Sequence, residues 1–266
     1  MKIEFWSDIV CPYCGLMDNR LRLALERFEH ADDVQVIHRS FQLHPELPRE
    51  GVTQRKLLEL HGIPASDAER IFAPIESAAR AERLQPYRAL ERTLGPTDLA
   101  HELLAYAADK GRGAEAWTAM FRAHFGEGRR LWSEREVLGF AAEIGLDRAE
   151  AAQALRERSY RDRVAADQRE AERLEAGGTP FTVIDGRYAL NGAVSTDQLV
   201  AAMNTAWESA HPEPRPLRVL GEGEGAGASQ SEGAGEGAGA SQSEGAGAGL
   251  GLCGPDGCAL PPRPAS

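Results

Sequence analysis

The sequence of 266 residues contains no apolar run that approaches the roughly 20 residues needed to span a lipid bilayer. Its first five residues include an acid and lead into no long apolar segment, so we expect no secretory signal and a cytoplasmic protein. Basic residues are outnumbered, with 30 Lys and Arg against 41 Asp and Glu, for a formal net charge of -11. We therefore expect neither nucleic acid nor a membrane surface as a partner, because both attract basic patches.

Cysteine is also scarce, with four residues in the whole chain. Structural disulfides are rare in a reducing compartment, so four cysteines in a cytoplasmic protein indicate redox chemistry or metal binding. The hydrophobic fraction of 42% and the charged fraction of 27% are ordinary for a soluble globular protein.

A break in composition divides the chain. Residues 221–251 hold 12 of the 28 glycines, seven alanines, five glutamates and no Lys or Arg, and they contain a twelve-residue repeat that starts at Gly225 and again at Gly237. Such a segment has too little apolar surface to offset the entropy lost on ordering. We predict one folded domain over 1–210 and a disordered, flexible tail over 211–266.

Hydrophobic periodicity within 1–210 predicts a strand, a helix and a parallel strand, followed by a long helical block and then a hairpin and a final helix. The helical block spans about 53–176, and we expect its core to include Trp117, Phe121, Phe125 and Trp132. The predicted fold class is α/β, with thioredoxin-like β-α-β and β-β-α halves split by a large helical insertion.

The segment Cys11-Pro12-Tyr13-Cys14 falls where the first strand ends and the first helix begins. The unpaired N–H groups and positive dipole of a helix N-terminus favour a thiolate at Cys11, and Pro12 fits the first helical turn. Cys14, one turn further on, can then resolve a mixed disulfide formed by Cys11. The alternative is half of a four-cysteine zinc site, completed by Cys253 and Cys258.

Three segments of this chain resemble the DsbA-family thiol oxidoreductases of the cytosolic FrnE-like branch. They are the run from Phe5 to Cys14, Phe41-Gln-Leu-His-Pro45, and Gly178-Thr-Pro-Phe-Thr-Val-Ile184 with Tyr188-Ala-Leu-Asn-Gly192. The resemblance covers residues 1 to about 210. It implies that Cys11 is the nucleophile and Cys14 its partner, and that Pro180 is a cis-proline beside the substrate groove.

We expect Pro12, Tyr13, Thr179 and Pro180 to contact substrate. Tyr13 stands where Trp is common in the family, and Thr179 stands where Val is common. Kappa-class glutathione transferases and 2-hydroxychromene-2-carboxylate isomerases look similar in layout but typically keep a single Ser or Cys. The retention of two cysteines argues against their activity here.

The tail carries a second pair, Cys253 and Cys258, around the turn sequence Gly-Pro-Asp-Gly. A β-turn brings its ends within about 7 Å, so the two cysteines can form a disulfide, and a linker of this length lets them reach Cys11. FrnE-like proteins can carry such a pair. We expect it to be a secondary redox pair.

The sequence predicts a thiol–disulfide oxidoreductase or isomerase that needs no cofactor or metal. Its partners would be protein thiols and disulfides, with glutathione or thioredoxin as the electron partner. The rival interpretations are a glutathione-dependent transferase or isomerase and a four-cysteine metal-binding module. The seven histidines are scattered along the sequence, and we expect them at the surface or at helix caps.

Overall fold

The computed structural model describes residues 1–212 and, from the tail, the backbone of two short strands. The rest of the predicted flexible tail lies outside the described residues. The described strands are β1 Lys2–Ser7, β2 Gln35–Ser40, β3 Val52–Thr53, β4 Thr93–Leu94, β5 Gly178–Thr179, β6 Phe181–Ile184, β7 Tyr188–Asn191, β8 Cys253–Gly254 and β9 Gly257–Ala259. The described α-helices are α1 Pro12–Arg27, α2 Gln54–Leu60, α3 Ala65–Ala81, α4 Asp98–Asp109, α5 Gly113–Phe121, α6 Glu134–Glu143, α7 Arg148–Arg156, α8 Arg161–Arg173 and α9 Thr196–Ala210.

The central sheet has the strand order β2-β1-β6-β7. Strand β1 pairs in parallel with β2, with Trp6 opposite Arg39, and antiparallel with β6, with Trp6 opposite Phe181. The β6–β7 hairpin closes the sheet. This arrangement confirms the predicted thioredoxin-like halves, and it places the end of β1 beside the start of β6.

Helices α2 to α8 form the insertion between the two halves, as the periodicity predicts. Several begin at capping residues found in the sequence: the side chains of Thr53, Ser133 and Asp147 accept hydrogen bonds from amides one turn into α2, α6 and α7. The insertion also contains the two-residue antiparallel pair β3–β4, which the sequence analysis missed because so short a run has no readable periodicity.

The sheet separates two apolar clusters because side chains alternate along β1. Ile3 and Phe5 pack with α1 and α9, whereas Trp6 belongs to the larger cluster shared with the insertion. That larger cluster contains both Cys11 and Cys14, so the site and the insertion share one core. The four aromatic residues expected in the insertion core, Trp117, Phe121, Phe125 and Trp132, are all buried.

No helix in residues 1–212 combines the length and the apolar character required to cross a membrane.

Close packing of a glycine against an aromatic ring gives a test of this core. A Cβ added at Gly95 lies 2.5 Å from Cδ2 of the buried Trp132, whereas one added at Gly139, within α6, meets only Nη2 of Arg129 at 3.9 Å. We expect Gly95→Ala to lower the free energy of unfolding by about 1–3 kcal/mol through overpacking. The control Gly139→Ala raises it by about 0.5–1 kcal/mol through helix propensity. Urea unfolding measures both, and equal effects contradict the packing described.

Candidate active site

The two cysteines of the Cys-x-x-Cys segment lie at the amino end of α1, as predicted. Cys11 is the N-cap residue in an extended conformation, and Pro12 is the first helical residue. The Cys11 amide donates to the carbonyl oxygen of Asp8 at 3.1 Å, and the Cys14 amide donates to the carbonyl oxygen of Cys11 at 3.0 Å. Because Cys11 caps the amino end of α1, the positive end of the helix dipole lies at this residue.

The surroundings move the pKa values of the two thiols in opposite directions. Both residues are fully buried and reduced. Burial raises the pKa of Cys11, but the hydrogen bond with the Cys14 thiol and the nearby Thr179 outweigh it and lower the pKa. Burial, together with the hydrogen bond to Cys11 and the charge of that thiolate, holds the pKa of Cys14 well above its usual value. Of the two thiols, Cys11 is therefore the one that ionises more readily.

The predicted substrate-contact residues gather around these sulfurs. The Thr179–Pro180 peptide bond is cis, and the Cys11 thiol donates to the carbonyl oxygen of Thr179 at 3.5 Å. Antiparallel pairing of β6 with β1 brings this bond across the sheet to Cys11. Pro12 and Tyr13 are both buried in the first turn of α1.

The tail places its second cysteine pair at the same edge. Strands β8 and β9 form a hairpin in which Cys253 is opposite Cys258, and β9 pairs antiparallel with β5, with Cys258 opposite Thr179. Residues of β9 also come within 8 Å of α1, measured between Cα atoms. The backbone of the second pair thus lies one strand away from the carbonyl that contacts Cys11.

A buried carboxylate beneath the dithiol escaped the sequence analysis. Asp8 is completely inaccessible; its Oδ2 accepts from the Leu43 amide at 2.7 Å, and its Oδ1 lies 3.3 Å from Nε2 of His101. Burial raises the pKa of Asp8, but the hydrogen bond to His101 and the charge of that ring outweigh it, so the pKa is lowered. The position of Asp8 three residues before Cys11 could have indicated a role at the site, but the sequence analysis took Ser7-Asp8 only as the end of the first strand.

Two further residues that the sequence did not single out hold the backbone around Cys11. The Tyr87 hydroxyl donates to the carbonyl oxygen of Pro12, and the Arg92 guanidinium donates to that of Val10. Both come from the segment between α3 and β4, more than 70 residues along the chain from Cys11. No sequence signal marked them, because an isolated Tyr or Arg usually reads as a surface residue.

The expectation that histidines lie at the surface or at caps was wrong for several of them. His44, His101 and His124 are buried, and the side chain of His38 is 6% exposed and bonded to Asp18 at 3.0 Å. Sequence spacing gave no warning, because each histidine meets its partner only through tertiary packing. Among the residues with described side chains, no group of three or more His, Cys, Asp or Glu could hold a metal ion.

Comparison with solved structures finds the same architecture in several proteins. A probable DsbA oxidoreductase from Streptomyces coelicolor is 31% identical, with a TM-score of 0.73 and coverage of 98% of this chain and all of the other. A 2-hydroxychromene-2-carboxylate isomerase shares the fold at 16% identity and a TM-score of 0.62, with 79% of this chain and 98% of the other covered.

The cytosolic disulfide reductase DsbM from Pseudomonas aeruginosa, solved with glutathione, shares the fold at 21% identity and a TM-score of 0.56. The match covers 78% of this chain and all of DsbM. A family model described as a DSBA-like thioredoxin domain matches residues 2–204. Its span includes the Cys-x-x-Cys helix, the helical insertion and the cis-proline strand. The chain therefore belongs to the DSBA-like thioredoxin domain family.

Proposed function

We propose that this protein is a thiol–disulfide oxidoreductase acting on protein thiols and disulfides, with Cys11 as the nucleophile and Cys14 as the resolving cysteine. The observation that carries the proposal is the position of Cys11 at the N-cap of α1, with Cys14 one turn on and the cis Thr179–Pro180 bond 3.5 Å away through the Thr179 carbonyl oxygen. The opposite directions of the two pKa shifts agree with it. A thiolate is the attacking species in disulfide exchange, whereas a protonated thiol does not attack until it loses its proton.

The exchange proceeds in two balanced steps. The Cys11 thiolate attacks one sulfur of a substrate disulfide, which forms a mixed disulfide and releases the other substrate sulfur as a thiolate. Cys14 then gives its proton to the substrate thiolate released in the first step and attacks the Cys11 sulfur, which releases the second substrate sulfur as a thiolate and leaves a Cys11–Cys14 disulfide. The substrate gains two electrons and the dithiol loses two; the reverse sequence oxidises a substrate dithiol.

The backbone at Thr179 supports the assignment of a substrate groove there. Strand β5 has an edge at which another strand adds antiparallel, and in the described structure that strand is β9 of the same chain. We infer that an extended substrate segment pairs with Gly178–Thr179 in the same way, with Pro12, Tyr13 and Pro180 around the exchanging sulfurs. Because Cys11 has no exposed surface and β9 already pairs with β5, we infer that the site opens and that the substrate segment replaces β9.

Glutathione is the reductant that the comparisons favour, because a structural neighbour described as a cytosolic disulfide reductase was solved with it. We propose a cytoplasmic location on the same ground, together with the scarcity of cysteine. Thioredoxin remains the alternative electron partner. Membership of the FrnE-like branch is likewise a proposal, and it rests on the tail pair and the motif residues.

The structural likeness to 2-hydroxychromene-2-carboxylate isomerase keeps a glutathione-dependent transferase or isomerase as the second candidate. That chemistry needs one thiol or hydroxyl that stabilises a glutathione adduct, so it leaves Cys14 without a chemical role. The raised pKa of Cys14 and its hydrogen bond to Cys11 support the dithiol mechanism instead.

We further propose that Cys253 and Cys258 exchange electrons with the Cys11–Cys14 pair. In this relay the reduced tail dithiol attacks the Cys11–Cys14 disulfide, which regenerates the active dithiol and leaves a Cys253–Cys258 disulfide. The register supports it, because directly opposite residues of an antiparallel pair have Cα atoms about 4.5–5.5 Å apart and Cys258 faces Thr179.

Substitution of each active-site cysteine separates the two candidate functions. Cys11→Ser abolishes insulin disulfide reduction, because a serine hydroxyl is not ionised at neutral pH and cannot attack a disulfide. Cys14→Ser blocks turnover and accumulates mixed disulfides, which non-reducing gels and mass spectrometry detect. If Cys14→Ser retains full activity and shows glutathione-dependent transfer or isomerisation, the single-thiol enzyme is correct and the dithiol mechanism is wrong.

Peptide mapping of the Cys14→Ser protein under limiting oxidant tests the relay. We expect a Cys11–Cys258 link formed at a rate independent of protein concentration, since the tether makes the reaction intramolecular. The matched variant Cys258→Ser loses that link, whereas Cys253→Ser retains it. A chain that stops at residue 215 keeps its fold and reduces insulin at an altered rate.

The relay is contradicted if every link found is intermolecular and the shortened chain turns over at the full-length rate. A metal ion that binds stoichiometrically, protects all four thiols from alkylation and is released by a chelator would instead support the four-cysteine metal-binding module.

A further inference from the structure

Arg92 carries a buried positive charge that the structure leaves without a counter-ion. The residue is 6% exposed, and its guanidinium carbon lies 5.9 Å and 5.0 Å from the ring centroids of Phe72 and Phe125. Its Nε is buried without a hydrogen-bond partner. Among the residues with described side chains, no carboxylate forms an ion pair with Arg92, although most other buried or half-buried arginines have one.

The hydrogen bonds of Arg92 all end on neutral oxygens. Nη1 donates to the carbonyl oxygen of Ala89 at 2.6 Å, and Nη2 donates to that of Val10 at 2.8 Å and to Oε1 of Gln54 at 2.9 Å. These bonds fix the guanidinium in place, but they do not neutralise it. A charge held away from water without a partner is costly, so its retention requires a reason.

The bond to Val10 places this charge next to the nucleophile. The Val10 carbonyl and the Cys11 amide belong to one peptide group, so the Arg92 guanidinium is hydrogen-bonded to the peptide group that joins Val10 to Cys11. Burial lowers the pKa of Arg92 to about 10, and the negative charges of Cys11, Glu76 and Asp8 counter that effect. The side chain is therefore cationic at neutral pH, and the interaction is reciprocal: a cation in this position favours the thiolate.

Other titratable groups near the pair do not remove this asymmetry. Asp8 opposes a thiolate, since its charge raises the pKa of Cys11, but it is hydrogen-bonded to His101. Burial and the Arg92 charge hold the pKa of His124 at about 4, so that ring is neutral. Cys14 and Tyr87 are also nearby, and their raised pKa values keep both protonated at neutral pH. Burial lowers the pKa of His44. The Glu76 carboxylate accepts hydrogen bonds from the Ala89 and Leu90 amides.

We propose that Arg92 is a positioning residue that supplies the buried counter-charge of the Cys11 thiolate and aligns the peptide before it. Reduction of the disulfide then creates the Cys11 thiolate close to the Arg92 cation. Oxidation removes the thiolate and leaves the cation in place. The inference rests on the proposed role of Cys11 as nucleophile. It adds a residue far away in sequence that sets how reactive that nucleophile is.

The test measures the pH dependence of Cys11 alkylation by iodoacetamide in the full chain, with Cys14, Cys253 and Cys258 replaced by serine so that one thiol reacts. Arg92→Gln keeps a donor for the Val10 carbonyl and removes the charge, and Arg92→Lys keeps the charge. Arg88→Gln, on the exposed part of the same segment, is the matched control.

We expect Arg92→Gln to raise the alkylation midpoint by about one pH unit or more, which lowers the thiolate fraction about tenfold at pH values below the midpoint. Arg92→Lys and Arg88→Gln keep the midpoint of the parent. A folded Arg92→Gln protein with the parent's midpoint overturns the proposal. An Arg92→Lys midpoint displaced as far as that of Arg92→Gln also overturns it, because hydrogen bonding alone would then be responsible.

If Arg92→Gln does not fold, Arg92→Met takes its place, because it puts a neutral chain of similar length between the two phenylalanine rings. If neither folds, an Arg92→Lys midpoint equal to that of the parent supports the proposal, and one raised by about one pH unit or more overturns it. Failure of the proposed function has a different signature, since Cys11 of the parent would then show the reactivity of an ordinary cysteine and no substrate exchange.

Discussion

The sulfur of Cys11 is buried at the amino end of a helix, and the rest of the site is arranged around that constraint. A helix N-terminus offers unpaired N–H groups and a partial positive charge, which stabilise an anion most where water is excluded. Here Cys11 is the N-cap of α1 and has no exposed surface. The strand pairing that brings Thr179 to the sulfur and the turn that holds Cys14 both act on a group already biased toward ionisation.

Because Cys11 is buried, neighbouring charges have a large effect on its pKa. In surroundings of low dielectric constant, the carboxylate of Asp8 and the guanidinium of Arg92 have effects on the thiol that water would screen at the surface. They act with opposite sign: Asp8 disfavours the thiolate, and Arg92, as we propose, favours it. The balance of these two side chains, contributed by the loop after β1 and the segment before β4, ties the reactivity of Cys11 to the helical insertion.

The predictable part of this architecture is the part encoded locally. Alternation in β1 and β2, the capping residues of the helices, and Pro12 at the first position of α1 each depend on near neighbours in sequence. Tyr87 and Arg92 were missed because the insertion brings them to Cys11 from more than 70 residues away. Side chains of Tyr and Arg are common at surfaces, so their burial becomes visible only once α3 and β4 are packed. His101 escaped for the same reason.

The most direct test of the central claim is the pH dependence of the reduction potential of the Cys11–Cys14 pair, measured in glutathione redox buffers with Cys253 and Cys258 replaced by serine. The account predicts one two-electron transition in which both thiols disappear together. As the pH rises, its slope falls from about 60 to about 30 mV per pH unit before the pH at which an ordinary cysteine ionises, because Cys11 ionises first and the reduced pair then binds one proton fewer. Two independent thiols, or a slope that stays near 60 mV through pH 9, would contradict the account.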